Sequence, residues 1–223
     1  MTIDQSTVPQ RDTSGIRAAS ATLAALAAGV LLGALDFVWI KFVPAPLGGL
    51  GNSMAVWATA AFLFTFRARW TLPVSALAAT VLLVVAVPSY YLAAALIQHD
   101  AWSNLWNATA MVWMGFGVIA GLVFGAGGAL ARGRARIPES FRDVALALPG
   151  SVLFAEAGLQ VTRIGDPSYA AGDLMAAFGV LIILGLGITA WVAPTWRRRG
   201  LVLVYALPLT AAGFALLSVV GFR

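Results

Sequence analysis

The chain of 223 residues is 61% hydrophobic and 10% charged, with a mean hydropathy of +0.89, where soluble chains carry about 25% charged residues. That composition excludes a soluble or disordered protein and assigns the chain to a membrane. Absence of cysteine and the single histidine, His99, exclude a disulfide framework, thiolate chemistry and a Cys- or all-His metal site, and the net charge of +5 finds its explanation in topology, not in a nucleic-acid partner.

Residues 1–15 (MTIDQSTVPQRDTSG) are polar and without apolar periodicity, so they are expected to form a disordered tail, followed by a single helical domain over residues 16–223. The first apolar run, about 17–39, is long enough to cross a core of about 30 Å. It also outruns the apolar region of a cleaved signal peptide. Breaks at charges, Pro and Gly then give spans at about 53–66, 71–97, 108–131, 143–162, 173–193 and 201–220. The second is short. The PAPLGGLGN segment ahead of it, rich in Pro and Gly, can fold back into the membrane, so the count is seven, or six if residues 44–66 re-enter.

The basic residues provide an independent test, because cytoplasmic loops collect Lys and Arg. With seven helices and the N-terminus inside, Arg11, Arg17, Arg67, Arg69, Arg132, Arg134, Arg136, Arg142, Arg197, Arg198 and Arg199, 11 of the 14 basic residues, share one side. Lys41, Arg163 and Arg223 remain on the other, with the C-terminus. The expected fold class is therefore an all-α polytopic bundle of about seven spans in a cell membrane.

Close packing in lipid requires small residues at helix contacts. Gly29 and Gly33 in the first span, and Gly117, Gly121 and Gly125 in the fourth, have GxxxG spacing and predict either a packed interior or a homo-oligomer seam.

An ionisable residue inside a span is costly and marks a candidate site. Glu156 lies fourteen residues beyond Arg142, about 21 Å along a helix, with Gln160 and Arg163 on its face. Asp36 follows Gly33 near the outer end of span one, with Trp39 one turn on and Lys41 as an alternative partner, and Asp173 opens span six, where it can cap the helix. Topology gathers Asp36, Trp39, Asn52, Trp57, Tyr90, Tyr91, Trp113, Glu156 and Asp173 in the outer half, and Pro88 weakens the third span beside them. Together they predict an acidic, aromatic-lined pocket reached from the outer face or leaflet. Trp102 and Trp106 belong to the aromatic belt found in any membrane protein.

Nucleotide-binding GxxxxGK[ST] and GxGxxG motifs, HExxH, GxSxG and a cluster of aspartates for magnesium diphosphate are all missing. Neither a cofactor nor a metal is expected. Low dielectric favours the neutral form of a carboxylic acid, which makes Glu156 and Asp36 candidate general acids, and aromatic faces attract cations. The expected partners are membrane lipid and a lipophilic small molecule. A small polar solute held by the carboxylates and Asn52, or a scaffold whose polar residues only join helices, fits the same residues.

The stretches GLGNSMAVWATAAFLF, SYYLAA, the glycine-rich fourth span and VLFAEAG around Glu156 resemble a family of small actinobacterial multi-pass membrane proteins. In length and span number the chain is also similar to the integral-membrane terpene cyclases of indole-terpenoid pathways. That resemblance implies metal-independent, acid-initiated cyclisation of a prenylated substrate, with Glu156 and Asp36 as acid and partner. The small-residue face of span one (Ala21 and Ala25; Ala24 and Ala28) resembles the coupling helix of vitamin-type substrate-capture subunits, which implies solute binding for transport.

Overall fold

The computed structural model describes residues 13–133 and 137–219; the side chains of residues 13–17 and 52 are not part of the description. Seven α-helices account for nearly all of it: α1 (Thr13–Phe42), α2 (Met54–Arg67), α3 (Leu72–Gln98), α4 (Ala108–Ala131), α5 (Glu139–Thr162), α6 (Ala171–Val192) and α7 (Trp196–Val219). No strand occurs among the described residues. Six of the helices are long and apolar enough to cross a membrane, and α2, with 14 residues, is the short one. α1 begins at Thr13, three residues inside the expected tail; residues 1–12 and Arg134, Arg136 and Arg223 lie outside the described residues.

The short second span has a local cause. After Phe42 the chain turns back through residues 43–46 into a 3₁₀ turn, Leu47–Asn52, that returns along the last turns of α1. The Trp39 indole donates to the Leu47 carbonyl at 2.8 Å, and a Cβ on Gly51 would lie 3.1 Å from the Asp36 carbonyl oxygen. α2 therefore begins beside Asp36, six residues and about 9 Å inside the end of α1. The 3₁₀ turn and the short α2 together lead the chain back to the start of α3, while the six other helices have the length and apolarity of a span.

Glycines set the packing. Gly29 meets Leu82 and Val85, and Gly33 meets Ala86 and Tyr90, so α1 and α3 run parallel in close contact. Gly117, Gly121 and Gly125 meet Leu83, Thr80 and Ala79 in turn, which makes α4 antiparallel to α3. Both GxxxG faces are thus covered within the chain, and neither is available to a second copy. On the other side, the Thr210 hydroxyl donates to the Ser151 carbonyl and Gly213 meets Ala155, so α5 and α7 are parallel, while Gly150 meets Thr189 of the antiparallel α6. α2 packs on α3, α4 and α5 and joins the two groups.

One end of the bundle is tied together by arginines. Arg132 Nη2 donates to the Trp70 carbonyl at 2.7 Å, Arg142 Nε to Ala131 at 3.0 Å and Arg199 Nε to Ala193 at 3.1 Å. Arg67 lies over the Trp191 ring, 4.4 Å from its centroid. Arg198 forms a 2.6 Å ion pair with the buried Asp143. The loops that charge alone placed on one side therefore meet in space.

Candidate functional site in the half opposite the arginines

A stripe of small residues on α1, Ala21, Ala25, Gly29 and Gly33, is buried against α3. One turn beyond it the same stripe presents Asp36 and Phe37, 8% and 3% exposed. Phe37 continues the contact with α3, packing on Tyr90, Ala93 and Ala94, and Asp36 sits beside it at the edge of that contact. There the bundle encloses a cavity of about 530 Å³ lined by α1, α2, α3, α4, α5 and α7. It extends from Leu148 and Phe124 near the middle of the bundle to Gln98 and Asp100 at the end away from the arginines.

Five of the residues singled out from sequence, Asp36, Trp57, Tyr90, Tyr91 and Trp113, line this cavity. Trp57 lies beside the Asp36 carboxylate on the cavity wall, and Lys41 does not pair with it. Lys41 donates instead to Gln98 at 3.2 Å, and Gln98 donates to Asp100 at 3.0 Å. The Tyr90 and Tyr91 rings meet edge-on at 5.4 Å, as do Phe37 and Tyr90. α3 runs unbroken through Pro88, and the Ser89 hydroxyl donates to the Val85 carbonyl at 2.8 Å, so the helix is not opened there.

The other expected residues fall elsewhere. Glu156 is buried behind the wall and absent from the lining; its carboxylate accepts the Ala55 N–H at 2.8 Å and lies beside Ser53. Ser53 is itself the N-cap of α2, accepting the Val56 N–H at 3.1 Å. Glu156 therefore completes the cap of a helix that starts inside the bundle, where no water meets its free N–H groups. Its partner is α2, not Gln160. Trp39 lies with Asp36 on a smaller apolar cavity of about 330 Å³ between α1, the 3₁₀ turn, α2 and Leu184 of α6. Asp173 is exposed in the first turn of α6, whose cap position is Ala170, so it serves the helix dipole and not the cavity. The Asn52 side chain lies outside the described residues.

Sequence reasoning passed over Gln98, Asp100 and Ser151, which also line the cavity. Asp100 follows the end of α3 and looked like an ordinary loop acid; the left-handed turn at His99, φ 60°, accompanies its return to the cavity mouth. It also passed over Asp143, whose ion pair could have been suspected from an acid placed beside Arg142 at the start of a span.

A polytopic helical membrane protein with an internal, mostly apolar cavity and one buried carboxylate on its wall is the class these features define. The chain belongs to the family of unknown function DUF6518, whose model matches residues 12–221. No curated protein and no solved structure gives a significant match.

Proposed function

We propose that the cavity binds a lipophilic molecule of prenyl or terpenoid type and that Asp36 initiates its cyclisation without a metal. The observation that carries this reading is the placement of one buried carboxylic acid, with Trp57 beside it, on the wall of an aromatic and aliphatic cavity. In the reaction, the Asp36 proton passes to an epoxide oxygen or an alkene carbon of the substrate. The C–O bond opens, or the π pair is consumed, leaving a carbocation. A neighbouring alkene supplies the electron pair of each new C–C bond, and the last cation returns a proton to the Asp36 carboxylate. The product is an isomer of the substrate, and the acid is restored. Tyr90, Tyr91, Trp57 and Trp113 present π-faces that attract the positive charge. The similarity in length and span number to integral-membrane terpene cyclases supports the same reading. In this assignment Asp36 is the acid and Glu156 the residue that fixes α2, hence Trp57, against it. The host membrane is a bacterial plasma membrane, with the arginine-rich end in the cytoplasm.

A vitamin-type capture subunit is the second reading, favoured by Gln98 and Asp100 at the cavity mouth. Of the small-residue face on α1, Ala21 and Ala25 are buried on α3 and unavailable to an energising partner, whereas Ala24 and Ala28 are half-buried.

Native mass spectrometry with organic extraction of the detergent-purified chain tests the proposal, comparing wild type with Asp36→Asn and Glu156→Gln. A terpenoid ligand in the wild type, with an uncyclised form trapped in Asp36→Asn, is the expected result. A water-soluble ligand in either sample, or cyclised product at undiminished yield from Asp36→Asn, overturns it.

A further inference from the structure

The cavity is open sideways as well as at its end. α4 and α7 line it from facing sides but hardly pack on one another. On α4, Ile119 is part of the lining and yet 61% exposed; on α7, Leu216 is part of the lining and 64% exposed. Both helices are spans, so the surface beyond these residues is hydrocarbon, and the gap between them connects the cavity to lipid.

The acidic groups on the lining are Asp36 and Asp100, and among the described residues no Lys, Arg or His belongs to it. Lys41 is exposed at the rim, where it donates to Gln98 of the lining. Aromatic faces favour positive groups, a neutral acid offers hydrogen bonds to an uncharged polar group, and neither gives a counter-charge to an anion, which matters most where water is scarce. An anionic headgroup would enter with no counter-charge, a costly arrangement.

We infer that the cavity takes its ligand laterally from the bilayer, through the gap between α4 and α7, and that this ligand is an amphiphile with a neutral or cationic polar end. The apolar tail lies between Ile119 and Leu216, and the polar end lies against Asp36. The inference deepens the proposed function by naming the substrate class and its route: phosphorylated prenyl chains and fatty acids are excluded, while prenyl alcohols, epoxides and amines are admitted.

The test titrates detergent-purified full-length protein with three amphiphiles of one chain length, dodecanol, dodecyltrimethylammonium and dodecyl phosphate, reading bound adducts by native mass spectrometry. The alcohol and the ammonium are expected to bind at least about tenfold more tightly than the phosphate, and Trp113→Leu, which removes an aromatic face from the lining, is expected to reduce the preference of ammonium over phosphate. Equal or tighter binding of the phosphate overturns the inference. For the route, Ile119→Trp with Leu216→Trp fills the gap at two exposed positions where no core contact is lost. Slower uptake of dodecyltrimethylammonium from vesicles into this variant is expected, with thermal stability unchanged; unchanged uptake overturns the lateral route. These are binding measurements, so absence of cyclisation would end the proposed reaction while leaving the ligand class standing.

Discussion

Glu156 on α5 accepts a 2.8 Å hydrogen bond from the backbone N–H of Ala55, 101 residues earlier at the start of α2. The contact joins the two halves of the bundle at the depth where α2 begins, and it makes Glu156 a cap supplied by a different helix. Removing it strands a buried donor, which costs about 1–3 kcal/mol. Glu156→Ala is expected to lower the thermal midpoint in detergent clearly, and Glu156→Gln only slightly, because the amide oxygen still accepts the Ala55 N–H. A thermal series monitored by size-exclusion recovery checks the order. Equal losses for Ala and Gln would mean that charge matters more than the hydrogen bond.

The seam between α3 and α4 gives a sharper contrast. A methyl on Gly121 would run into the Thr80 backbone, whereas one on Gly115 of the same helix would meet nothing within 4 Å. Gly121→Ala is therefore expected to destabilise by about 1–3 kcal/mol through overpacking. Gly115→Ala should be neutral or slightly stabilising. Unfolding of the two variants in matched detergent distinguishes them, and comparable stability would show that the helices separate freely at this contact.

At the arginine end, Asp143 and Arg198 tie α5 to α7 at 2.6 Å with the acid nearly fully buried. Breaking a buried pair from one side costs about 3–5 kcal/mol, because the remaining charge is left unpaired. Asp143→Asn and Arg198→Met should each lower stability strongly, and the double variant Asp143→Leu with Arg198→Met should regain much of the loss. A double variant as unstable as the sum of the singles would indicate two independent roles.

The native chain has no cysteine, so introduced thiols report without background. Arg69, exposed between α2 and α3, and Trp106, 66% exposed at the opposite end, lie at the two ends of the bundle. Arg69→Cys and Trp106→Cys should react with a membrane-impermeant maleimide from opposite sides in intact cells, with Arg69→Cys labelled only after permeabilisation. Labelling of both from outside would displace α3 from the membrane.

Much of the architecture is a property of the chain itself. Hydrophobic runs separated by arginines determined the spans, and α4 occupies residues 108–131, as its boundaries predict. Those features are local: hydrocarbon excludes charge, and backbone groups in lipid must be satisfied within their own helix. The arginine pattern likewise predicted which loops meet, because charge is sorted loop by loop before helices pack. Small residues predicted close contacts but not their partners, since a glycine face fits α3 of the same chain as readily as a second copy.

The tertiary structure decided what the acids do. Asp36 and Glu156 look alike in sequence, each an acid near small residues inside an apolar helix. One faces a cavity because it lies at the edge of the α1–α3 contact, beside Phe37, which packs on α3; the other faces the free N–H groups of α2, a helix that starts inside the bundle only because residues 43–52 fold back. A side chain's neighbour on another helix depends on rotation and depth, and both are set by how far every other helix can approach. No spacing along one segment encodes that distance, so the sequence located the acidic half of the bundle and packing assigned its residues.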